Sequence, residues 1–223
     1  MLTYEEIKKN DEITTYIKKG NDVLGEIGYT EHGFAHAGRV AETAGRILDL
    51  LEYPHRTTEL ARIAAYMHDI GNCINRNDHA QSGAIMAFRI LSGMKADPED
   101  IADIVSAIGN HDEGTGSPIS PVSAALILAD KSDVRRTRVR YKSRNAQKIS
   151  EDIHDRVNYA VEKSDITILP QEKMAILSLT IDTEISPVME YFEIFLSRMV
   201  LCRTAAEYLG LRFELNINNI KLL

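Results

Sequence analysis

Histidine and aspartate are the residues in this chain whose types and spacing could do chemistry. Seven histidines occur in 223 residues. Six of them fall in the first half; five of these (His32, His36, His68, His79 and His111) are candidates, and the last four of the five sit at or near the ends of expected helices. His68 is followed directly by Asp69, and His111 by Asp112. Asp130 ends the apolar run Ala124-Ala125-Leu126-Ile127-Leu128-Ala129. A carboxylate in such surroundings is expected to be buried, and a buried charge is costly unless it is paired or coordinated. Two readings stand for Asp130: a salt bridge to an arginine, or a metal ligand. Imidazole and carboxylate ligands, with no thiolate nearby except Cys73, suit manganese, iron, zinc, cobalt or nickel, with magnesium possible. A divalent ion held this way lowers the pKa of its water and polarises a phosphoryl oxygen. The chemistry expected is hydrolysis.

The elements that must position these groups are mainly helical. Apolar residues recur at helical spacing over 12–27 and, more clearly, over 35–52, where Val40, Ala44, Ile47, Leu48 and Leu51 share a face. Pro54 stops that helix. A third helix is predicted over 57–70 with Thr57 or Thr58 as N-cap, and a fourth over 79–92. Asp97-Pro98-Glu99 opens a fifth, which ends near Gly109. The segment from Glu113 to Pro118 reads as a loop, and a largely apolar helix follows over 121–135. The last third changes character. A helix over 146–163 precedes two strands, 166–169 and 175–181, that could form a hairpin. A long helix over 184–209 and a strand over 213–217 follow. The expected fold is mainly α: a helical domain over 1–145 and a small α+β part over 146–223, with the break in the polar stretch 141–147.

Composition narrows the setting. The net charge is −7, so no global basic character points to nucleic acid or an anionic membrane. No apolar stretch approaches the ~20 residues that span a bilayer, and no secretory signal is visible. Cys73 and Cys202 are far apart and match no zinc spacing. A cytoplasmic protein with reduced thiols is expected.

Three pieces, in order, are His36-Ala37-Gly38-Arg39-Val40-Ala41, Met67-His68-Asp69-Ile70-Gly71 and Leu128-Ala129-Asp130. Together they resemble the HD-domain superfamily of metal-dependent phosphohydrolases over roughly residues 32–136, which implies an HD-type helical bundle. The resemblance implies His36, His68, Asp69 and Asp130 as ligands of one metal. Asp78-His79-Ala80-Gln81-Ser82-Gly83-Ala84 and Ile108-Gly109-Asn110-His111 resemble the binuclear branch, which implies His79 and His111 at a second metal and Asp69 as the bridging, catalytic residue. The interval from Asp69 to His79 is short for that branch. Asn72 stands where a lysine often follows the HD pair. The loop at His111 through Pro118 is similar in part to HD-GYP cyclic-dinucleotide phosphodiesterases, but Asn110 and Ser117 depart from their signature, and that substrate does not carry over.

Residues 131–148 hold eight Lys/Arg and one acidic residue. This is either a solvated face or a phosphate-binding patch beside Asp130, with Lys131, Arg135 and Arg138 on one helix face and Lys131, Arg135 and Arg136 nearest the substrate. The expected activity is that of a phosphomonoesterase or phosphodiesterase acting on a nucleotide or other small phosphate compound, with one or two divalent ions. The alternatives are a non-catalytic nucleotide-sensing module and an HD-type di-iron oxygenase. His154-Asp155 repeats the dipeptide without matching partners and reads as structural. The C-terminal hairpin and strand suggest pairing across a two-fold axis in a homodimer.

Overall fold

Several helices in this chain start at side-chain caps, each satisfying N–H groups that the first turn leaves without partners. The computed structural model describes residues 2–140 and 152–222. Thr3 and Glu6 form a reciprocal capping box on α1 (Tyr4–Lys8). Asn10 caps α2 (Asp11–Glu26). Asp97 caps α6 (Pro98–Gly109) and Ser120 caps α7 (Pro121–Lys131), each with proline at the start of the helix. Between these lie α3 (Phe34–Leu50), α4 (His55–Met67) and α5 (His79–Gly93). A short 3-10 turn, Ile70–Cys73, joins α4 to α5. No helix among the described residues is long and apolar enough to cross a membrane.

Helix α7 is the spine. It is buried along nearly its whole length and packs against α3, α4 and α6. Its Ala-Ala-Leu-Ile-Leu-Ala run has no polar face because helices surround it, the condition under which an all-round apolar helix is stable.

The C-terminal part begins with α8 (Ile153–Ala160), continues through β1 (Val161–Leu169) and β2 (Met174–Ile181), and ends with α9 (Val188–Tyr208), β3 (Arg212–Ile217) and β4 (Ile220–Lys221). The sheet order is β1-β2-β3-β4. β1 and β2 form the expected antiparallel hairpin, whereas β3 runs parallel to β2 because α9 carries the chain back across the sheet. Asn218 and Asn219 both have positive φ (51° and 64°), the backbone a two-residue hairpin requires, and they turn β3 into β4. Helix α9 packs on α7 and β3, and buried residues from both parts of the chain belong to one continuous core. The free edge of β1 is covered by α3: Arg39 and Arg46 donate to the carbonyls of Ser164 and Ile166, at 3.2 and 3.0 Å. An edge closed in this way is poorly suited to pairing with another strand.

Several sequence expectations are corrected. Helix α4 starts at His55, after Pro54, so Thr58 is a buried interior residue and not a cap. Helix α7 ends at Lys131 and not at 135, because Asp133 turns inward to the centre of the bundle. Residues 161–163 open a strand instead of ending a helix. Helix α1 and strand β4 were not anticipated. The proposed break at 141–147 lies outside the described residues.

Candidate metal centre

The ends of α4, α5 and α6, the first turn of α3 and the last turn of α7 meet at one point in the core. His36 is in the first turn of α3, His68 directly follows α4, and Asp69 starts the connecting turn. His79 is the first residue of α5, and His111 lies just past the end of α6. The short Asp69-to-His79 interval is made possible by Gly71, where any Cβ would collide with the carbonyl oxygen of His79. Asp78 reverses the chain in the left-handed region (φ 56°) and delivers His79 to the site.

Each of the four histidines is held by its Nδ1. His68, His79 and His111 donate from Nδ1 to the backbone carbonyls of Ala65 (2.7 Å), Arg76 (3.0 Å) and Ile108 (2.6 Å). His36 donates from Nδ1 to the Asp133 carboxylate at 2.8 Å. Carbonyl and carboxylate oxygens only accept, so the proton of each neutral ring lies on Nδ1 and the Nε2 lone pair faces inward. This orientation by an outer partner is the usual companion of metal-ligating imidazole.

The inward nitrogens face one another in pairs. His36 Nε2 is 3.3 Å from His68 Nε2, and His79 Nε2 is 3.1 Å from His111 Nε2. Two lone pairs at such distances repel unless a cation, either a proton or a metal ion, lies with them. The Asp69 carboxylate divides between the pairs. Its Oδ2 is 3.3 Å from His68 Nε2 and 3.7 Å from His36 Nε2, while its Oδ1 is 3.5 Å from His79 Nε2. Asp130 Oδ1 adds a second carboxylate to the first pair, 3.3 Å from His36 Nε2. Asp69 Oδ2 is buried and accepts no hydrogen bond, which is the signature of an acceptor awaiting a cation. His36, His68 and Asp130 form one group with ligand spacing, and His68, Asp69 and His111 another. This donor set, all imidazole nitrogen and carboxylate oxygen, fits a divalent ion.

The electrostatics follow from burial and charge. Burial opposes the charged form of His68, but the Asp69 and Asp130 carboxylates outweigh it and push its pKa up to about 10. Burial, together with the charges of His68 and Lys131, holds His111 well below its ordinary value. Burial likewise lowers His79. Burial works against ionisation of Asp69 and Asp130, yet His68 at the first and Lys131 at the second keep both well below the carboxylate range.

All six expected ligands (His36, His68, Asp69, His79, His111 and Asp130) therefore come together. The expected phosphate patch does not. Lys131 is buried and lies 2.7 Å from both Glu113 and Asp130 carboxylates. Arg135 and Arg138 share no helix face with it, because α7 has ended. Arg135 turns to Asp133 and Thr137. Arg136 donates to the Tyr159 carbonyl and lies over the Tyr159 ring. The arginines that do line the chamber above Asp69 and Asp130 are Arg76, Arg138 and Arg198. Arg76 and Arg198 were missed: one sits in a loop and the other on α9, far from any motif. His32 also lines the chamber, with its Nδ1 on the Thr30 carbonyl at 2.8 Å. The chamber opens into a cleft of about 830 Å³ between the helical bundle and the C-terminal part, with His154 on its wall.

Comparison with known proteins finds the following similarities. The chain is 27% identical over 161 residues to the uncharacterized protein MJ1020 of Methanocaldococcus jannaschii, a match that spans 62% of each chain. A crystal structure of a predicted HD superfamily hydrolase from an uncultured Thermotogales bacterium is 28% identical, with a TM-score of 0.44, over 56% of this chain and 67% of that one. Residues 33–135 match the family model of the HD domain, a segment that starts just before His36 and ends just after Asp130. Through that segment the chain is similar to the HD domain.

Proposed function

We propose that the chain is a metal-dependent phosphohydrolase, a phosphomonoesterase or phosphodiesterase, acting on a nucleotide or another small phosphate compound. The observation that carries this reading is the convergence of the Nε2 atoms of His36, His68 and His79 on the two oxygens of one carboxylate, Asp69, with His111 Nε2 3.1 Å from that of His79. His36, His68, Asp69 and Asp130 would hold one ion, and Asp69, His79 and His111 a second. Such ions supply a water of lowered pKa and a polarised phosphoryl oxygen.

The chain's own residues prepare the site for that chemistry. Asn72 donates to Asp69 Oδ1 at 2.7 Å, which fixes the plane of the shared carboxylate. Asp133 and the three backbone carbonyls fix the imidazoles. Lys131 Nζ takes up Asp130 Oδ2, leaving Oδ1 for the first pair. The guanidinium groups in the chamber suit an anionic substrate.

The test is phosphate release from a panel of phosphate esters with added Mn²⁺, Co²⁺, Ni²⁺, Fe²⁺ or Mg²⁺, alongside metal analysis of the purified protein. Turnover with at least one metal, lost in Asp69→Ala, is expected. No release with any metal would remove the reading.

A further inference from the structure

Helix α9 is apolar on two sides. One side enters the core through Tyr191, Phe195, Met199, Cys202 and Ala206. The other carries Met189, Leu196 and Val200, which are 68%, 55% and 46% exposed. Single exposed apolar side chains are ordinary on a protein surface. These three are not scattered. With Glu193, Arg203 and Glu207, all exposed, they complete the series 189, 193, 196, 200, 203, 207. The intervals alternate four and three, the spacing of a seam along which one helix packs on another.

The series is also self-complementary. A second copy of α9 can lie antiparallel to the first across a two-fold axis at the level of residue 198. Leu196 then faces Val200 of the second copy, Glu193 faces its Arg203, and Met189 faces its Glu207. Each of these pairs is centred on 198, so a single register makes all of them at once. Apolar pairs lie at the centre, and opposite charges flank them on either side. A parallel pair in register sets Glu193 against Glu193 and Arg203 against Arg203, which repel. Neither charge is engaged within the chain. The Arg203 side chain has no ion-pair or hydrogen-bond partner among the described residues. Glu193 acts on Arg156 by charge alone, while Glu190 holds that arginine at 2.8 and 2.9 Å.

We infer that this face of α9 is the surface through which two copies of the chain form an antiparallel dimer. A two-fold contact between identical patches is the commonest way in which identical chains associate. The contact is helix on helix and leaves the strand edges out. Arg198, two residues from Leu196, points to the opposite side of the helix and lines the chamber, so the seam faces away from the metal centre. The inference stands apart from the phosphohydrolase reading.

Sedimentation equilibrium of the full chain tests it. Wild type is expected at twice the chain mass of 25.0 kDa at micromolar concentration. Leu196→Glu is expected to be monomeric, with the circular dichroism and melting curve of wild type, because the position is exposed. Glu193→Arg and Arg203→Glu each set like charges face to face at two places, and each is expected to weaken the dimer about tenfold or more. The double variant, Glu193→Arg with Arg203→Glu, reverses every pair and is expected to return to within about threefold of wild type. A monomeric wild type, a Leu196→Glu protein that associates as wild type does, or a double variant no tighter than the single ones would each overturn the inference. Should Leu196→Glu fail to fold, the charge series decides.

Discussion

The two halves of the candidate metal centre share Asp69 but are built to different plans. The first half sets two imidazoles, His36 and His68, against two carboxylates, Asp69 and Asp130. Its outer support is itself charged: Asp133 accepts from His36 and is in turn held by Arg39 and Arg135, at 3.1 and 2.8 Å. The second half sets His79 against a single oxygen of Asp69 and His111 against His79, with only backbone carbonyls behind the rings. A guanidinium is also close by, with Arg76 Nη1 3.3 Å from His79 Nε2. Without metal, the first half can keep a proton on His68, whose pKa is raised to about 10. His79 and His111 are both shifted toward the neutral form, and their lone pairs face each other at 3.1 Å. A proton can therefore stand in for an ion in the first half, whereas in the second half the Arg76 guanidinium is the cation nearest the paired rings.

The contrast can be broken most directly at the shared residue. Asp69→Ala should empty both halves and lower turnover by more than the roughly 10–100-fold expected for loss of an orienting partner. Metal analysis checks this, and one ion retained at full occupancy would show that the halves do not depend on Asp69 jointly. Asp133→Asn comes next. It should weaken the first ion by about 10–100-fold in a chelator competition and leave the second nearly unchanged. Equal weakening of both would mean that the support of His36 is not local.

The proton on His68 gives a pH signature in the metal-free protein. Its folded pKa of about 10 lies above the ordinary 6.5. The stabilisation is complete below pH 6.5 and is lost as pH rises toward 10. The Tm of metal-free protein should therefore fall by several degrees across that window, and His68→Gln should flatten the slope. An equally steep fall in the variant would place the effect elsewhere. The smallest effect is expected from Arg76→Met. Removing that charge should tighten the second ion by a few-fold, less than about 1.4 kcal/mol, and leave the first alone.

Much of this site can be read in the sequence because its ligands have local signatures. His68-Asp69 follows an apolar helix, and Asp130 interrupts an aliphatic run, so burial and its cost are visible without coordinates. His79 and His111 stand at helix ends, but only the resemblance to the binuclear branch implies that they share a centre with Asp69. What escapes is tertiary. Asp133 sits in a stretch that reads as a basic patch, yet it is pulled inward by His36 and ends α7 two residues earlier. Arg136, which the local charge pattern favours, stacks on Tyr159 instead. Arg198 is one polar residue on a long helix, and nothing near it in sequence marks its contact with Glu113. The parallel pairing of β3 with β2 likewise depends on the path of α9, while the β1–β2 hairpin is set by neighbouring residues.

The matched segment stops at residue 135, and Arg138 and Arg198 both lie beyond it. The candidate ligands thus lie within the matched segment, and two of the three guanidinium groups lie outside it. A related chain could keep the first and exchange the second, altering what it admits without altering what it does to it.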